Sequence, residues 1–341
     1  MRSKRPRVFV TRHLPGPALE RLAEATNVEV WPEELPPSPE ELARKAQQSD
    51  ALLTLLTDRI DASLLDTAPD LLIVSNMATG FDNIDVPAAT ARGVLVTRTP
   101  GVLSETTADF AFALLLTAAR RVVESDRHVR DGRWKTWGPE TLLGQDVHGA
   151  ALGIVGLGGI GRKVAQRAGG FGMRVLYTGP SRKPGAEREL NIEFRALDEL
   201  LRESDFVSLH APLTPETKHL INARTLRLMK PTAMLVNTGR GPLVDQAALY
   251  EALRSGVIAA AALDVTDPEP MSPDDPLLTL PNFIVTPHIA SASVATRSRM
   301  ALLAAENLLA ALRGEIPEHA VNPQVGDSWR QHVRERFGAQ S

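Results

Sequence analysis

With 341 residues the chain exceeds the roughly 250–300 at which a single hydrophobic core stops growing, so two domains are the default. Apolar residues at 43% and charged residues at 23% fit a folded globular protein, and no apolar run approaches the ~20 residues of a membrane span, which weighs against a membrane role. A net charge of -3 supplies no broad basic field for nucleic acid, and the absence of cysteine removes disulfides, thiolate metal sites and cysteine nucleophiles.

The basic N-terminus, residues 1–7, has no long apolar stretch behind it, since Val8-Phe9-Val10 is only strand length; cytoplasm is the expected compartment. Short β-branched runs then alternate with helical stretches: Val28-Glu29-Val30, Ala51-Leu52-Leu53, Leu71-Leu72-Ile73-Val74 and Val94-Leu95-Val96. That alternation predicts a parallel sheet with helices on both faces. Pro36-Pro37-Ser38-Pro39 reads as a surface turn entering a helix over 40–48. Ser104 opens a long apolar helix, 106–123, suited to bridging two lobes, with Glu105 in the first turn where the helix dipole favours an anion. The turn-rich stretch 131–139 carries Trp134 and Trp137.

A second alternation starts at Ala150 and predicts six parallel strands, beginning at Leu152, Arg174, Phe206, Ala233, Ile258 and Phe283. The segment 294–312 reads as a helix stopped by Gly314 at C′, and the polar, basic chain from Trp329 onward as a frayed tail.

Gly156-Leu157-Gly158-Gly159-Ile160-Gly161 follows an apolar strand and opens a helix over 162–168, the setting of a dinucleotide loop. Gly156 permits the tight turn, Gly158 removes a side chain that would strike the pyrophosphate, and Gly161 lets helix pack on strand. Helix-start N–H groups, including those of Gly159 and Ile160, then face the phosphates. A cofactor bound by its ribose 2′-hydroxyl alone meets an Asp or Glu about 20 residues on. Here Tyr177-Thr178-Gly179-Pro180-Ser181-Arg182-Lys183 holds a hydroxyl and two cations, with no carboxylate before Glu187. Gly179, Ser181, Arg182 and Lys183 therefore predict NADP(H), with NAD(H) as the second choice.

Three polar residues follow strand-like runs: Arg240, Glu269 and His288. A planar cation pairs with the carboxylate of a 2-oxo acid and polarises its carbonyl. An imidazole, with a reference pKa near ~6.5, protonates that carbonyl as hydride arrives, and a carboxylate on the other ring nitrogen fixes the tautomer. Nothing in the sequence asks for a metal.

The motifs in order, Gly156 to Gly161, Asn237-Thr238-Gly239-Arg240-Gly241, Gly256 to Val265 followed by Glu269-Pro270, and Pro287-His288-Ile289-Ala290-Ser291, resemble those of the D-isomer-specific 2-hydroxyacid dehydrogenases over roughly residues 7–323. Gly80-Phe81-Asp82-Asn83-Ile84-Asp85, Tyr177-Thr178-Gly179 and Asp267-Pro268-Glu269-Pro270 with 275–280 are most similar to the glyoxylate/hydroxypyruvate reductases within that family. The resemblance implies an α/β protein of two doubly wound parallel-sheet lobes, one a flavodoxin-like substrate domain and the other a Rossmann NAD(P)-binding domain, with a cleft between them. Residues 1–103 plus 289–341 would form the substrate lobe and 104–288 the inserted cofactor lobe, through which the family dimerises.

Carried over by the same resemblance, Thr79, Gly80, Arg240, His288 and Ser291 would hold substrate. Thr79 stands where relatives have a small apolar residue, and Asp82 would cap that loop. The cofactor would meet Thr107, Leu157, Gly158, His210, Ala211, Pro212, Thr217, Thr238, Gly239 and Ala290, with Asp264 beside the nicotinamide. Thr141 departs from relatives that place an aromatic residue there, and Trp134 and Trp137 are read as dimer-loop residues. The implied activity is NADPH-dependent reduction of glyoxylate or hydroxypyruvate to the D-2-hydroxy acid by a homodimer.

Alternatives remain. Formate oxidation needs no proton relay, so Glu269 with His288 would be superfluous. A 3-phosphoglycerate dehydrogenase remains open, although many carry a regulatory domain for which this chain leaves no room after its core. A corepressor-like NAD(P)-sensing protein would bind cofactor without turnover.

Overall fold

Because each short apolar run is followed by a helix, consecutive strands cannot pair as hairpins and must lie parallel. The computed structural model describes residues 5–338, which form two compact units, 5–103 with 292–338, and 104–291. Residues 1–4 of the basic N-terminus and 339–341 of the tail lie outside the described residues.

The first unit runs β1 (Arg7–Val10), α1 (Ala18–Ala25), β2 (Asn27–Val30), α2 (Pro39–Gln47), β3 (Ala51–Thr54), α3 (Ala62–Thr67), β4 (Ile73–Asn76), α4 (Val86–Ala91) and β5 (Leu95–Thr97). Its five strands form a parallel sheet in the order β2-β1-β3-β4-β5, the flavodoxin-like arrangement. β3 and β4 are buried along their whole length, as strands covered on both faces must be. Ser38, Asp61 and Asp85 cap α2, α3 and α4 by accepting first-turn amides.

The second unit runs α5 (Ser104–Ala119), α6 (Val122–Arg130), β6 (Ala151–Val155), α7 (Gly159–Gly170), β7 (Arg174–Thr178), α8 (Pro184–Leu190), β8 (Glu193–Phe194), α9 (Leu197–Glu203), β9 (Phe206–Leu209), α10 (Ala223–Leu226), β10 (Met234–Asn237), α11 (Gln246–Arg254), β11 (Ala260–Leu263) and β12 (Phe283–Val285). The chain then returns to the first unit as α12 (Val294–Leu312) and α13 (Gly326–Phe337). The second sheet is parallel throughout, in the order β12-β11-β10-β9-β6-β7-β8. It has a seventh strand where six were expected: β8 is two residues long, too short to leave an apolar run.

Several further differences have plain causes. The expected 106–123 helix ends at Ala119, because Arg121 adopts a left-handed φ of 52° and separates α5 from α6. α5 belongs to the second unit and packs against α7, β10 and β11. The tail expected to fray is α13 instead: Trp329 is fully buried and donates Nε1–H to the carbonyl of Leu72 at 2.9 Å, while Arg336 pairs with Asp50 and Asp70. Ile289, Ala290 and Ser291, expected in the outer lobe, stay with the second unit because the amides of Ile289 and Ala290 bind the buried Asp264 carboxylate. No described helix is long and apolar enough to cross a membrane.

Candidate active site

The strand order of the second sheet reverses between β6 and β9, so a crevice opens at their carboxyl ends, and doubly wound folds bind ligands there. Gly156 ends β6 with φ 96°, and a Cβ there would lie 2.6 Å from the amide nitrogen of Ala211 after β9. A Cβ on Gly161 would lie 2.2 Å from the Gly156 carbonyl oxygen, so helix α7 can sit against the turn only without one. At Gly158 a Cβ would meet nothing within 4 Å, and no side chain caps α7 there. These residues fit a dinucleotide: a narrow turn beneath, open space above, and a helix start facing it.

The other predicted cofactor residues divide by what their side chains touch. Leu157 is buried in the core, leaving its backbone to a ligand, and Ile160 packs against that core while partly exposed. His210 binds the Ser208 hydroxyl through Nε2 at 2.8 Å and lies 3.5 Å from the Thr238 hydroxyl through Nδ1; burial pushes its pKa down to about 4, so the ring is neutral. The Thr217 hydroxyl closes its own turn, donating to Pro212 and accepting from the Thr214 amide. Thr107 is buried on α5. Gly179, Ser181, Arg182 and Lys183 lie after β7, with Ser181, Arg182 and Lys183 exposed.

Sequence spacing missed what organises that loop. Tyr177, the last aromatic of β7, donates its hydroxyl to Glu187 at 2.7 Å, and Glu187 clamps Arg182 through Nε at 2.9 Å and Nη2 at 2.7 Å. Arg182, then Tyr177, hold the Glu187 carboxyl below the usual carboxylate range. Glu187 lies one helical turn into α8, past the strand end where an acidic cofactor ligand is sought.

β10, β11 and β12 are adjacent and in register, so their carboxyl ends deliver Arg240, Glu269 and His288 to one edge of the sheet. Asn237, which sequence reasoning left without a role, is fully buried; it donates to the Arg240 carbonyl at 2.8 Å and accepts the Gly239 amide at 2.9 Å, fixing the turn that carries the guanidinium. Gly241 seats that turn on the next loop, for a Cβ there would fall 1.9 Å from the Thr266 carbonyl oxygen. Glu269 Oε1 lies 2.5 Å from Nδ1 of His288, and this leaves Nε2 as the other nitrogen able to carry a proton.

His288 itself has a left-handed φ of 54°, an uncommon conformation that its surroundings must hold. Asp264, expected beside the nicotinamide, does that holding. Its carboxylate accepts the Thr286 hydroxyl at 2.6 Å and the amides of Ile289 and Ala290 at 2.9 and 2.7 Å. Ser291 is buried just beyond.

In the first unit, Thr79 and Gly80 follow β4. Thr79 donates to the Thr99 carbonyl at 3.2 Å, and Arg98, stacked on Phe81, donates to the Thr79 carbonyl at 3.3 Å. Asn76 donates to the Gly80 carbonyl at 3.1 Å and to Asn83 at 3.2 Å, while Asn83 donates to the carbonyls of Leu55 and Asp58. Asn76 and Asn83 thus tie the loop after β4 to the loop after β3; neither was singled out from sequence as a tether.

Residues 112–290 match the family model of the D-isomer specific 2-hydroxyacid dehydrogenase, NAD binding domain. A curated glyoxylate reductase of Korarchaeum cryptofilum is 57% identical over 322 residues, spanning 94% of this chain and 97% of that one. Among solved structures, a protein of Thermus thermophilus superposes with a TM-score of 0.87 at 51% identity, covering 92% of this chain and 99% of that one. An NADPH-dependent glyoxylate/hydroxypyruvate reductase of Sinorhizobium meliloti superposes with a TM-score of 0.81 at 34% identity over 93% and 98% of the two chains.

Proposed function

Since the chain belongs to the D-isomer-specific 2-hydroxyacid dehydrogenase family and reduces a 2-oxo acid, we propose that its substrates are glyoxylate and hydroxypyruvate and its preferred cofactor NADPH. The observation that carries this reading is the Glu269–His288 pair at 2.5 Å on the same sheet edge as Arg240. Likeness to curated glyoxylate reductases supports the substrate, and the cations of the Ser181–Lys183 loop support the cofactor.

NADPH, when bound, supplies the hydride. Arg240 binds the substrate carboxylate and polarises the 2-oxo group through its planar donors, held in place by Asn237. His288 gives the Nε2 proton to the carbonyl oxygen, and Glu269, bonded to Nδ1, fixes the orientation and tautomer of the ring.

The working assembly is a homodimer formed through the second unit. Supporting it, Trp134, Trp137 and Leu143 are 62%, 80% and 64% exposed in a loop beside a cavity lined by Arg121, Arg127, Met234 and Phe283. Apolar surface concentrated in this way marks an interaction site.

Purified protein should oxidise NADPH rapidly with glyoxylate and hydroxypyruvate and form the D-hydroxy acid from the latter. Tight cofactor binding without turnover on any 2-oxo acid would overturn the enzymatic reading, and faster turnover with NADH would overturn the cofactor preference.

A further inference from the structure

The Ser181–Lys183 loop is braced from beneath by a chain of side chains that begins in the sheet. Tyr177 is fully buried; its hydroxyl accepts the Lys183 amide at 2.6 Å and donates to Glu187 Oε1 at 2.7 Å. Glu187 then takes one edge of the Arg182 guanidinium, with Nε at 2.9 and 3.0 Å and Nη2 at 2.7 Å from its two oxygens. Lys183 Nζ donates to the Leu157 carbonyl at 2.6 Å, joining this loop to the glycine turn. Of the five N–H groups of Arg182, Glu187 engages the Nε–H and one on Nη2, which leaves the Nη1 N–H groups for a ligand on a side chain 67% exposed.

We propose that Glu187, seated on Tyr177, is a positioning residue for the 2′-phosphate of the cofactor, setting Arg182 so that its outer N–H edge meets a phosphate monoester. The inference rests on the NADPH reading above. An exposed arginine surrenders much rotamer freedom when it takes a ligand; one already clamped surrendered it on folding, and preorganisation of this kind raises affinity without a new contact. The opposing effect is repulsion between the Glu187 carboxylate and the phosphate. That carboxylate is already neutralised by the guanidinium and hydrogen-bonded by the phenol, so the ordering effect is the larger. A ribose 2′-hydroxyl carries no charge and is indifferent to the clamp.

The test compares binding of 2′,5′-ADP and 5′-AMP to the full chain by calorimetry, for wild type, Glu187→Ala, Glu187→Gln and Tyr177→Phe, alongside KM for NADPH and NADH. Glu187→Ala should weaken 2′,5′-ADP binding by about tenfold and leave 5′-AMP within about twofold, with KM for NADPH rising in step and KM for NADH little changed. Glu187→Gln and Tyr177→Phe, each keeping part of the brace, should fall between. Unchanged or tighter 2′,5′-ADP binding in Glu187→Ala overturns the inference, as does equal weakening of both nucleotides. A wild type that favours 5′-AMP and NADH removes the NADPH reading and the inference together; a wild type that favours NADPH beside an unaffected Glu187→Ala removes the inference alone.

Discussion

His288 donates its backbone N–H to the Asp264 carbonyl at 2.9 Å, and the carboxylate of the same aspartate binds the next two amides of the chain. One buried side chain thus sets the conformation of the loop that carries the imidazole. Replacing it by Asn keeps the volume but sets an amide N–H₂ against at least one backbone N–H. Asp264→Asn should lower kcat by about 10- to 100-fold with a smaller change in substrate KM, and cost roughly 1–3 kcal/mol of stability. Steady-state kinetics and denaturant unfolding check it; unchanged turnover would mean the φ of 54° is held by other contacts.

Glu269 touches no substrate in this scheme and acts through His288. Glu269→Gln keeps a hydrogen-bond partner beside Nδ1, but its amide can donate as well as accept, so the tautomer of the ring is no longer fixed. The variant should therefore lose about tenfold in kcat with substrate KM little changed, while His288→Ala should lose turnover by about 10²- to 10⁴-fold. An unchanged kcat for Glu269→Gln would refute the role.

The amide of Asn83 spans two loops of the first unit, from the Leu55 and Asp58 carbonyls to Asn76, which itself holds the Gly80 carbonyl. Asn83→Ala should free the Thr79–Gly80 loop. The expected result is a stability loss of about 1–3 kcal/mol in denaturant unfolding. A variant as stable as wild type would show that other contacts hold the loop.

These tethers mark the limit of what was legible in the sequence. The glycine loop and the strand ends were readable because period, turn chemistry and one-sided spacing all act over a few residues, and Gly156, Gly161 and the helix 294–312 were placed from them. Asp264, Glu187 and Asn83 were quoted or passed over without their structural roles, since their partners lie 26, 5 and 28 residues away and depend on how strand ends converge. The helix 326–337 was hidden for a related reason. Its composition is polar and basic, and only the meeting of Trp329 with the Leu72 carbonyl shows that one side of it is buried.

Trp137 is 80% exposed beside Trp134 and Leu143, surface that a second copy would cover. Trp137→Glu places a charge there and should shift the protein from dimer to monomer in light scattering, because a desolvated, unpaired carboxylate is costly in an interface. The far-UV spectrum should not change. A variant that stays dimeric, or a monomeric wild type, would place the interface elsewhere or remove it.

His210 ties folding to pH. Burial holds its pKa at about 4 in the folded chain, against ~6.5 when unfolded. Between those values the unfolded chain binds a proton that the folded chain refuses, so stability is full above pH ~6.5 and falls as pH drops toward 4. The loss attributable to this ring is on the order of 2–4 kcal/mol by the lower end of that window. His210→Gln, which can keep a hydrogen bond to Ser208 without titrating, should flatten the stability profile over that interval while shifting the value above pH 7 by less. Urea unfolding of both proteins across the window decides the matter: parallel profiles would show that the acid sensitivity belongs to other groups.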